Sequence, residues 1–300
     1  MTTPFTHTAD TTTSFTHTDS DNMNSSLHET YERNLHDQAV SAKTPEYNTP
    51  LGVGHVEVSY GLDNLAMLSE LLPFRDKFIK RMRWEVNDEA DLAGTILDGV
   101  PDADRYDLLG TTLHLSSMNR QTGEIIAGLR FTPVESVEES LSWGMLRENP
   151  RMQDQILSHE VGRQALARLN ESAARGHLWD LTRLVNPLDQ NADHAQIAAA
   201  MMELFGTGHG IIRKEVPEEN YEDIYWIFNT TERLKDSLIS LGVSVTQLAG
   251  DVVNGEHDEE KSFFCVVEPE KNVHFISDNP LIRDFTCLHM QNGLKKANAL

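Results

Sequence analysis

Two stretches with the composition of core β-strands carry ionised side chains at their centres. In Ile125-Ile126-Ala127-Gly128-Leu129-Arg130-Phe131 an arginine interrupts an apolar run. In Trp179-Asp180-Leu181-Thr182-Arg183-Leu184-Val185 an acid and a base sit among Trp, Leu and Val. A guanidinium that faces an interior needs a carboxylate, because an unpaired buried charge is too costly to desolvate. Side chains alternate across a strand, so Asp180, Thr182 and Leu184 are expected on one face and Trp179, Leu181 and Arg183 on the other. Strands of this kind belong to a sheet that pairs charges in its interior.

The periodicity around them mixes strands and helices. Residues 55–60 alternate apolar and polar, as a half-buried strand does. Over 62–82, Leu65, Leu68, Leu72, Ile79 and Met82 recur at helical spacing, and Pro73 is expected to start or kink that helix. Residues 111–117 and 125–134 flank Asn119-Arg120-Gln121-Thr122-Gly123 and predict a hairpin. A helix is expected over 152–175, ending at Gly176, and another over 192–205. A strand over 223–229 leads to a helix capped by Asn229 with Glu232 three residues on. Strands over 243–249 and 262–268 complete a mixed α/β domain spanning 55–270. Residues 271–300 read as an appendage.

Residues 1–50 differ. Thr, Ser, His, Asp and Asn dominate, and Phe-Thr-His-Thr occurs twice, at 5–8 and 15–18. Too few aliphatic side chains are present to offset the entropy of ordering, so a disordered arm, dispensable for turnover, is expected. Its histidines read as compositional bias, since no carboxylate–His spacing builds a metal shell there. The start of the chain has neither the basic nor the apolar region of a secretory signal, and no apolar run is long enough to span a bilayer. Two cysteines, Cys265 and Cys287, make no disulfide framework, and a cytoplasmic location is the simplest expectation. With 47 acidic against 25 basic residues the net charge is −22, which argues against nucleic-acid binding.

Familiar motifs fail on context. Gly206-Thr207-Gly208-His209-Gly210 follows a helical pattern instead of opening one, so it reads as a helix stop, not a dinucleotide loop. Neither G-x-S-x-G nor H-E-x-x-H occurs. Cys265, within the apolar run 263–267, reads as a buried small hydrophobe. Two polar segments stand out beside the charged strands. Residues 75–84, Arg-Asp-Lys-Phe-Ile-Lys-Arg-Met-Arg-Trp, form a basic amphipathic helix at the least. Residues 102–107, Asp-Ala-Asp-Arg-Tyr-Asp, are an exposed acidic turn on the plainest reading.

The order of these four segments resembles the acyl-homoserine-lactone synthases, the autoinducer synthase family. That family shows R…F-V-x-R-L-G-W, then E-x-D-x-[FY]-D, then v-G-x-x-R-L-x-P, then W-E-[LS]-S-R-F. Here the corresponding stretches are 75–84, 102–107, G-L-R-F-T-P ending at Pro133, and Trp179-Asp180-Leu181-Thr182-Arg183. Residues 223–242 are similar to the family's later strand and helix. The resemblance covers about 60–270 and implies a GNAT-like acyltransferase fold, a three-layer α/β/α sandwich with a central mixed, twisted sheet.

It also implies an activity: transfer of a fatty acyl group from an acyl-carrier-protein or acyl-CoA thioester to S-adenosyl-L-methionine, then lactonisation with release of methylthioadenosine, for quorum sensing. S-adenosylmethionine is then a substrate, and neither a cofactor nor a metal is implied. Carried over residue by residue, the S-adenosylmethionine pocket falls on Arg75, Phe78, Trp84, Asp104, Asp107 and Arg130, and the catalytic pair on Asp180 and Arg183. A sulfonium bearing an ammonium and a carboxylate suits aromatic faces, acids and arginines at close quarters. Asp180 stands where the family has Glu, Thr182 where it has Ser, and Leu113-His114-Leu115 where a tyrosine is usual. Asp180 is the expected proton acceptor, directly or through water. An apolar tunnel for the acyl tail is expected from Leu181, Ile211, Ile227 and Leu238. A polyanionic donor is expected to dock on Lys80, Arg81, Arg83, Arg213 and Lys214. The alternatives are another GNAT-type N-acyltransferase, such as an N-acyl amino-acid synthase, and a catalytically dead acyl-ligand binding protein.

Overall fold

Seven strands form one sheet in the order β1-β2-β3-β4-β5-β7-β6. They are β1 (His55–Tyr60), β2 (Leu113–Met118), β3 (Ile125–Pro133), β4 (Leu178–Val185), β5 (Tyr225–Thr231), β6 (Val245–Asn254) and β7 (Glu259–Val267). The computed structural model describes residues 55–82 and, apart from 96, 98, 101, 120, 148, 187–193, 255–258 and 274–279, residues 95–300. Neighbouring strands are antiparallel except β4 and β5, which run parallel and pair only at Leu178↔Tyr225, Trp179↔Trp226 and Asp180↔Ile227. Beyond that row β4 stays paired to β3, through Thr182 and Val185, and β5 to β7, as far as Thr231. The sheet therefore opens between its two central strands.

Helices cover both faces. On one lie α1 (Leu65–Met82), α2 (Leu141–Arg147), α3 (Pro150–Ser158) and α4 (Glu160–Ala174). On the other lie α5 (His194–Arg213), α6 (Glu232–Ser240) and α8 (Pro280–Ala299), with the short α7 (Pro269–Val273) between β7 and α8. The larger apolar cluster joins Leu113, Leu115, Leu129, Phe131, Leu181, Trp226 and Phe228 to α5. The other joins Leu178, Tyr225, Ile227 and Phe264 to α2, α3 and α4. The result is the expected α/β/α sandwich about a mixed sheet.

Several local expectations give way to packing. α1 runs unbroken through Pro73. The helix expected over 152–175 is two helices, separated where His159 takes an extended backbone, φ −100 and ψ 138. The cap of α6 is Thr231, whose hydroxyl accepts from Leu234 N at 3.4 Å, and β5 extends through Asn229. The largest correction is α5. It passes straight through Gly206, Gly208 and Gly210 instead of stopping there. A Cβ on Gly206 would lie 2.3 Å from Met290 O, and one on Gly293 2.3 Å from Glu203 O, so α5 and α8 touch through their backbones. Their seam is closed by a buried group: Glu203 accepts from His289 Nδ1 at 3.0 Å and from Lys296 Nζ. Thus 280–299 pack as a helix on α5.

This seam makes a signed prediction. Ala in place of Gly stabilises an ordinary helix interior by about 1 kcal/mol. Gly206→Ala is expected to destabilise by about 1–3 kcal/mol instead, because α8 must move. A urea midpoint lower than wild type checks it; a higher one refutes the backbone contact. Cys265 is buried as expected, and burial pushes its thiol up to about 12, which makes it a poor nucleophile.

Candidate active site

The face of the sheet under α1 and α2 carries the polar groups. The register sets Arg130 opposite both His114 and Thr182, and Thr132 opposite Asp180, so these side chains share that face. Arg130 is fully buried. Its Nη1 donates to Asp104 Oδ1 at 2.6 Å and Asp107 Oδ1 at 2.7 Å, and its Nε to Thr182 Oγ1 at 3.0 Å. The carboxylates that the strand arginine required are those of the D-x-D-x-Y-D run.

That run is buried, in contrast to its plainest sequence reading. Residues Arg105–Leu108 form one turn of 3-10 helix, capped reciprocally: Tyr106 N donates to Asp104 Oδ1 and Asp104 N to Asp107 Oδ2, both at 2.9 Å. The turn fixes the two carboxylates side by side, facing the sheet. Arg75, buried on α1, closes the group from above: Nε donates to Asp102 Oδ2 at 2.7 Å and Nη1 to Asp107 Oδ1 at 3.1 Å. Arg183 Nη2 donates to Asp104 Oδ2 at 3.0 Å and lies 3.4 Å from Asp102 Oδ1. Three arginines and three aspartates thus balance inside the protein. Tyr106 lies against them, its ring centre 5.6 Å from the Arg130 guanidinium carbon.

Arg183 was expected on the face of Trp179 and Leu181. A bulge corrects this: Gly128 pairs with Val185 but Arg130 with Thr182, leaving one extra residue in β4. Arg183 takes a left-handed backbone, φ 56, which turns its side chain to the Arg130 face. Asp102 is left-handed too, φ 55. Non-glycine residues in that region cost of order 1–3 kcal/mol and persist where surrounding contacts over-determine them. Both flank one ion network.

Burial alone would raise the Asp107 carboxyl, but the guanidiniums of Arg75 and Arg130 outweigh it and hold it well below the usual carboxylate range. Asp104 is likewise lowered, by Arg130 and Arg183 against its own burial and the charge of Asp107. Arg130 is raised, since Asp104 and Asp107 more than offset its desolvation. His114 is pushed down to about 3, chiefly by burial, and is neutral.

Asp180 lies at the last paired row before the sheet opens. Its Oδ1 accepts from Ser142 Oγ at 2.5 Å and its Oδ2 from Ser142 N at 3.1 Å. Asn229 Nδ2, two residues past the last β4–β5 pair, donates to Ser142 O at 2.5 Å. Ser142 therefore ties β4 to β5 across the opening. Burial pushes the Asp180 carboxyl up to about 6, against the lowering effect of the Ser142 hydrogen bonds and the Arg130 charge. It forms no ion pair of its own with an arginine among the described residues.

Arg75, Asp104, Asp107, Arg130 and Arg183 thus meet in one cluster, and Asp180 stands two residues along β4 from Thr182, on the same face. Phe78 packs with Ile79 and Val185, one turn of α1 beyond Arg75. Trp84 lies outside the described residues. Reading the sequence missed Asp102, Ser142 and Asn229. Asp102 had a signal, because it opens the acidic run of residues 102–107. Of the expected tunnel residues, Leu181, Ile211 and Leu238 share the α5-side core, whereas Ile227 faces the opposite layer. The expected docking patch is divided: Lys80 is on α1, and Arg213 and Lys214 are at the end of α5, across the sheet. Arg213 stacks on Tyr221 at 4.1 Å. Arg83 and the Arg81 side chain lie outside the described residues.

Several buried polar atoms on the site face make no hydrogen bond: Arg130 Nη2, Arg183 Nε, Thr132 Oγ1, Asp102 Oδ1 and Asn229 Oδ1. Two guanidinium donors suit a carboxylate, and a carboxylate oxygen suits an ammonium. Among the described residues no three His, Cys, Asp or Glu side chains gather as metal ligands would, and no helix is long and apolar enough to cross a membrane.

No family model and no curated protein matches this chain. Several solved structures are similar in shape. TofI, in a ternary complex with an inhibitor and MTA, is 16% identical with TM-score 0.46, over 71% of this chain and 91% of that one. The AHL synthase LasI is 15% identical with TM-score 0.46, over 72% and 91%. BjaI, a CoA-dependent acyl-homoserine lactone synthase with MTA, is 14% identical with TM-score 0.45, over 83% and 100%. At these values the likeness is one of overall shape, and the functional reading rests on the residues of the site.

Proposed function

We propose that this chain is an acyl-homoserine-lactone synthase, joining S-adenosyl-L-methionine to an acyl thioester. The observation that carries the reading is the buried Arg75–Asp102–Asp104–Asp107–Arg130–Arg183 network beside the opening of the sheet, with donors and acceptors left unspent. A network built for stability alone has no reason to leave buried guanidinium N–H groups without a protein partner. In this reading Arg130 Nη2 and Arg183 Nε take the carboxylate of S-adenosylmethionine, and Asp102 and Asp180 face its ammonium.

The amine must first lose a proton. Asp180, raised toward neutrality and with oxygen lone pairs beyond those used by Ser142, is the acceptor. The amine nitrogen then attacks the thioester carbonyl; the C–N bond forms, the C–S bond breaks, and the thiol leaves with a proton. Backbone N–H groups at the opening, free of strand pairing, offer hydrogen bonds to the oxyanion. The substrate carboxylate finally displaces the sulfonium from its γ-carbon, forming the lactone C–O bond and expelling methylthioadenosine.

Incubation of purified protein with S-adenosylmethionine and acyl thioesters, as coenzyme A and as carrier-protein conjugates, tests this. Methylthioadenosine and acyl-homoserine lactone are expected in equal amounts, dependent on the donor. An N-acyl amino acid without methylthioadenosine would make the chain an N-acyl amino-acid synthase. Ligand binding with no product would make it a binding protein.

A further inference from the structure

The acyl chain of a thioester needs an apolar compartment, and the two faces of the sheet differ at the opening. Asp180, Asn229, Ser142 and the ion network occupy one face. On the other, the first unpaired row presents Leu181 and Phe228, and behind them Trp226, all in the core under α5. An aliphatic chain entering between β4 and β5 is therefore received on the α5 side.

That side is filled. Trp226 belongs to β5, yet its ring centre lies 4.9 Å from that of Phe131 on β3, so the indole spans β4. Phe205 of α5 lies 5.8 Å from it on the helix side. The contact continues to the helix backbone: a Cβ on Gly208 would come within 2.2 Å of Phe131 Cε2. Helix, Phe131, Trp226 and Phe205 thus form one continuous stack, with Trp226 as its floor. Packed interiors yield to an extra methylene only with strain.

Building on the proposed synthase activity, we infer that Trp226 limits the length of the acyl group and that this enzyme takes short donors. Phe228 and Trp226 are two residues apart on one strand face, about 7 Å. A butanoyl or hexanoyl chain, which must part Leu181 and Phe228 to enter, ends within roughly that span. A dodecanoyl chain has to displace the indole.

Shortening Trp226 costs packing but no hydrogen bond. Its Nε1 makes no hydrogen bond, so a smaller apolar side chain leaves no partner orphaned. Methylthioadenosine release should be measured for wild type, Trp226→Phe and Trp226→Leu with butanoyl, hexanoyl, octanoyl and dodecanoyl donors. Folding is checked by circular dichroism and by S-adenosylmethionine binding. Each methylene beyond a pocket's capacity costs about tenfold or more in kcat/KM. Wild type should prefer hexanoyl to dodecanoyl by at least that factor. Trp226→Leu should raise dodecanoyl transfer about tenfold or more relative to hexanoyl, with Trp226→Phe between. Wild type preferring dodecanoyl, or an active Trp226→Leu with an unchanged profile, overturns the inference and leaves the synthase reading standing. Absence of methylthioadenosine release by wild type with every donor overturns the synthase reading itself. If Trp226→Leu does not fold, Trp226→Phe decides the matter by whether octanoyl gains on hexanoyl.

Discussion

Arg130→Ala is expected to lose about 3–5 kcal/mol of stability and all detectable methylthioadenosine release, because it strands buried charge. Arg130 Nη1 bridges Asp104 and Asp107, and its removal leaves two fully buried carboxylates 23 and 26 residues away in sequence with less than their charge in partners. Arg130→Lys keeps the charge but not the planar fork, so it should retain more stability than Ala while still losing turnover. Urea unfolding and the release assay check both. An Ala variant within about 1 kcal/mol of wild type would show that water or another cation replaces the guanidinium. The depressed Asp104 and Asp107 carboxyls fix the sign of the pH response. They bind protons more weakly folded than unfolded, so their stabilisation is present at neutral pH and is lost as the pH falls below about 4.

Asp180→Asn should separate chemistry from architecture. The amide oxygen can still accept from Ser142 N, and the amide nitrogen can donate to Ser142 Oγ, so α2 should stay tied to β4. Loss of a general base costs about 10²–10⁴-fold in rate. The variant is therefore expected to bind S-adenosylmethionine and turn over very slowly. Its stability should move in a direction opposite to that of the cluster variants. The folded carboxyl, raised to about 6, holds its proton more tightly than the unfolded one. Wild type therefore loses stability as the pH rises from about 4 through about 6, and the Asn variant does not. At one unit per about 1.4 kcal/mol, the variant should gain up to about 3 kcal/mol on wild type between pH 4 and 7. Near-normal turnover per folded molecule would remove Asp180 from the mechanism. Equal pH slopes would remove its desolvation.

How the ion network was foreseen shows what kind of inference a sequence supports. Arg130 in an apolar strand demanded carboxylates, but nothing local named them: the D-x-D-x-Y-D run reads on its own as an exposed turn, and only the resemblance to the synthase family implied that it is the partner. Asp180 was legible as an unusual acid in a core strand. Its actual partner, Ser142, was not: the serine lies 38 residues earlier, in a helix with no local signal. Asp102 stands in the same acidic run, but the left-handed backbone that turns it to Arg75 has no local signature.

The three glycines of α5 illustrate the opposite failure. Glycine in a helix interior is locally unfavourable by about 1 kcal/mol, so any local reading ends the helix there. The stop signal was read correctly and overruled, because α8 and Phe131 come too close for a Cβ. Arg183 was misplaced for a related reason: strict alternation holds only while the pairing register does, and one bulged residue in β4 reverses the face.

By itself, then, the amino-acid order determined the alternation of strands and helices and the need to pair Arg130 inside the protein. Those follow from burial and charge, which act on residue type wherever the residue lies. Tertiary structure alone decided that β4 and β5 part after Asp180, that Arg183 turns toward Asp104, and that Trp226 spans β4 to reach Phe131. These depend on which backbones approach one another and at what register, and no local preference encodes that distance.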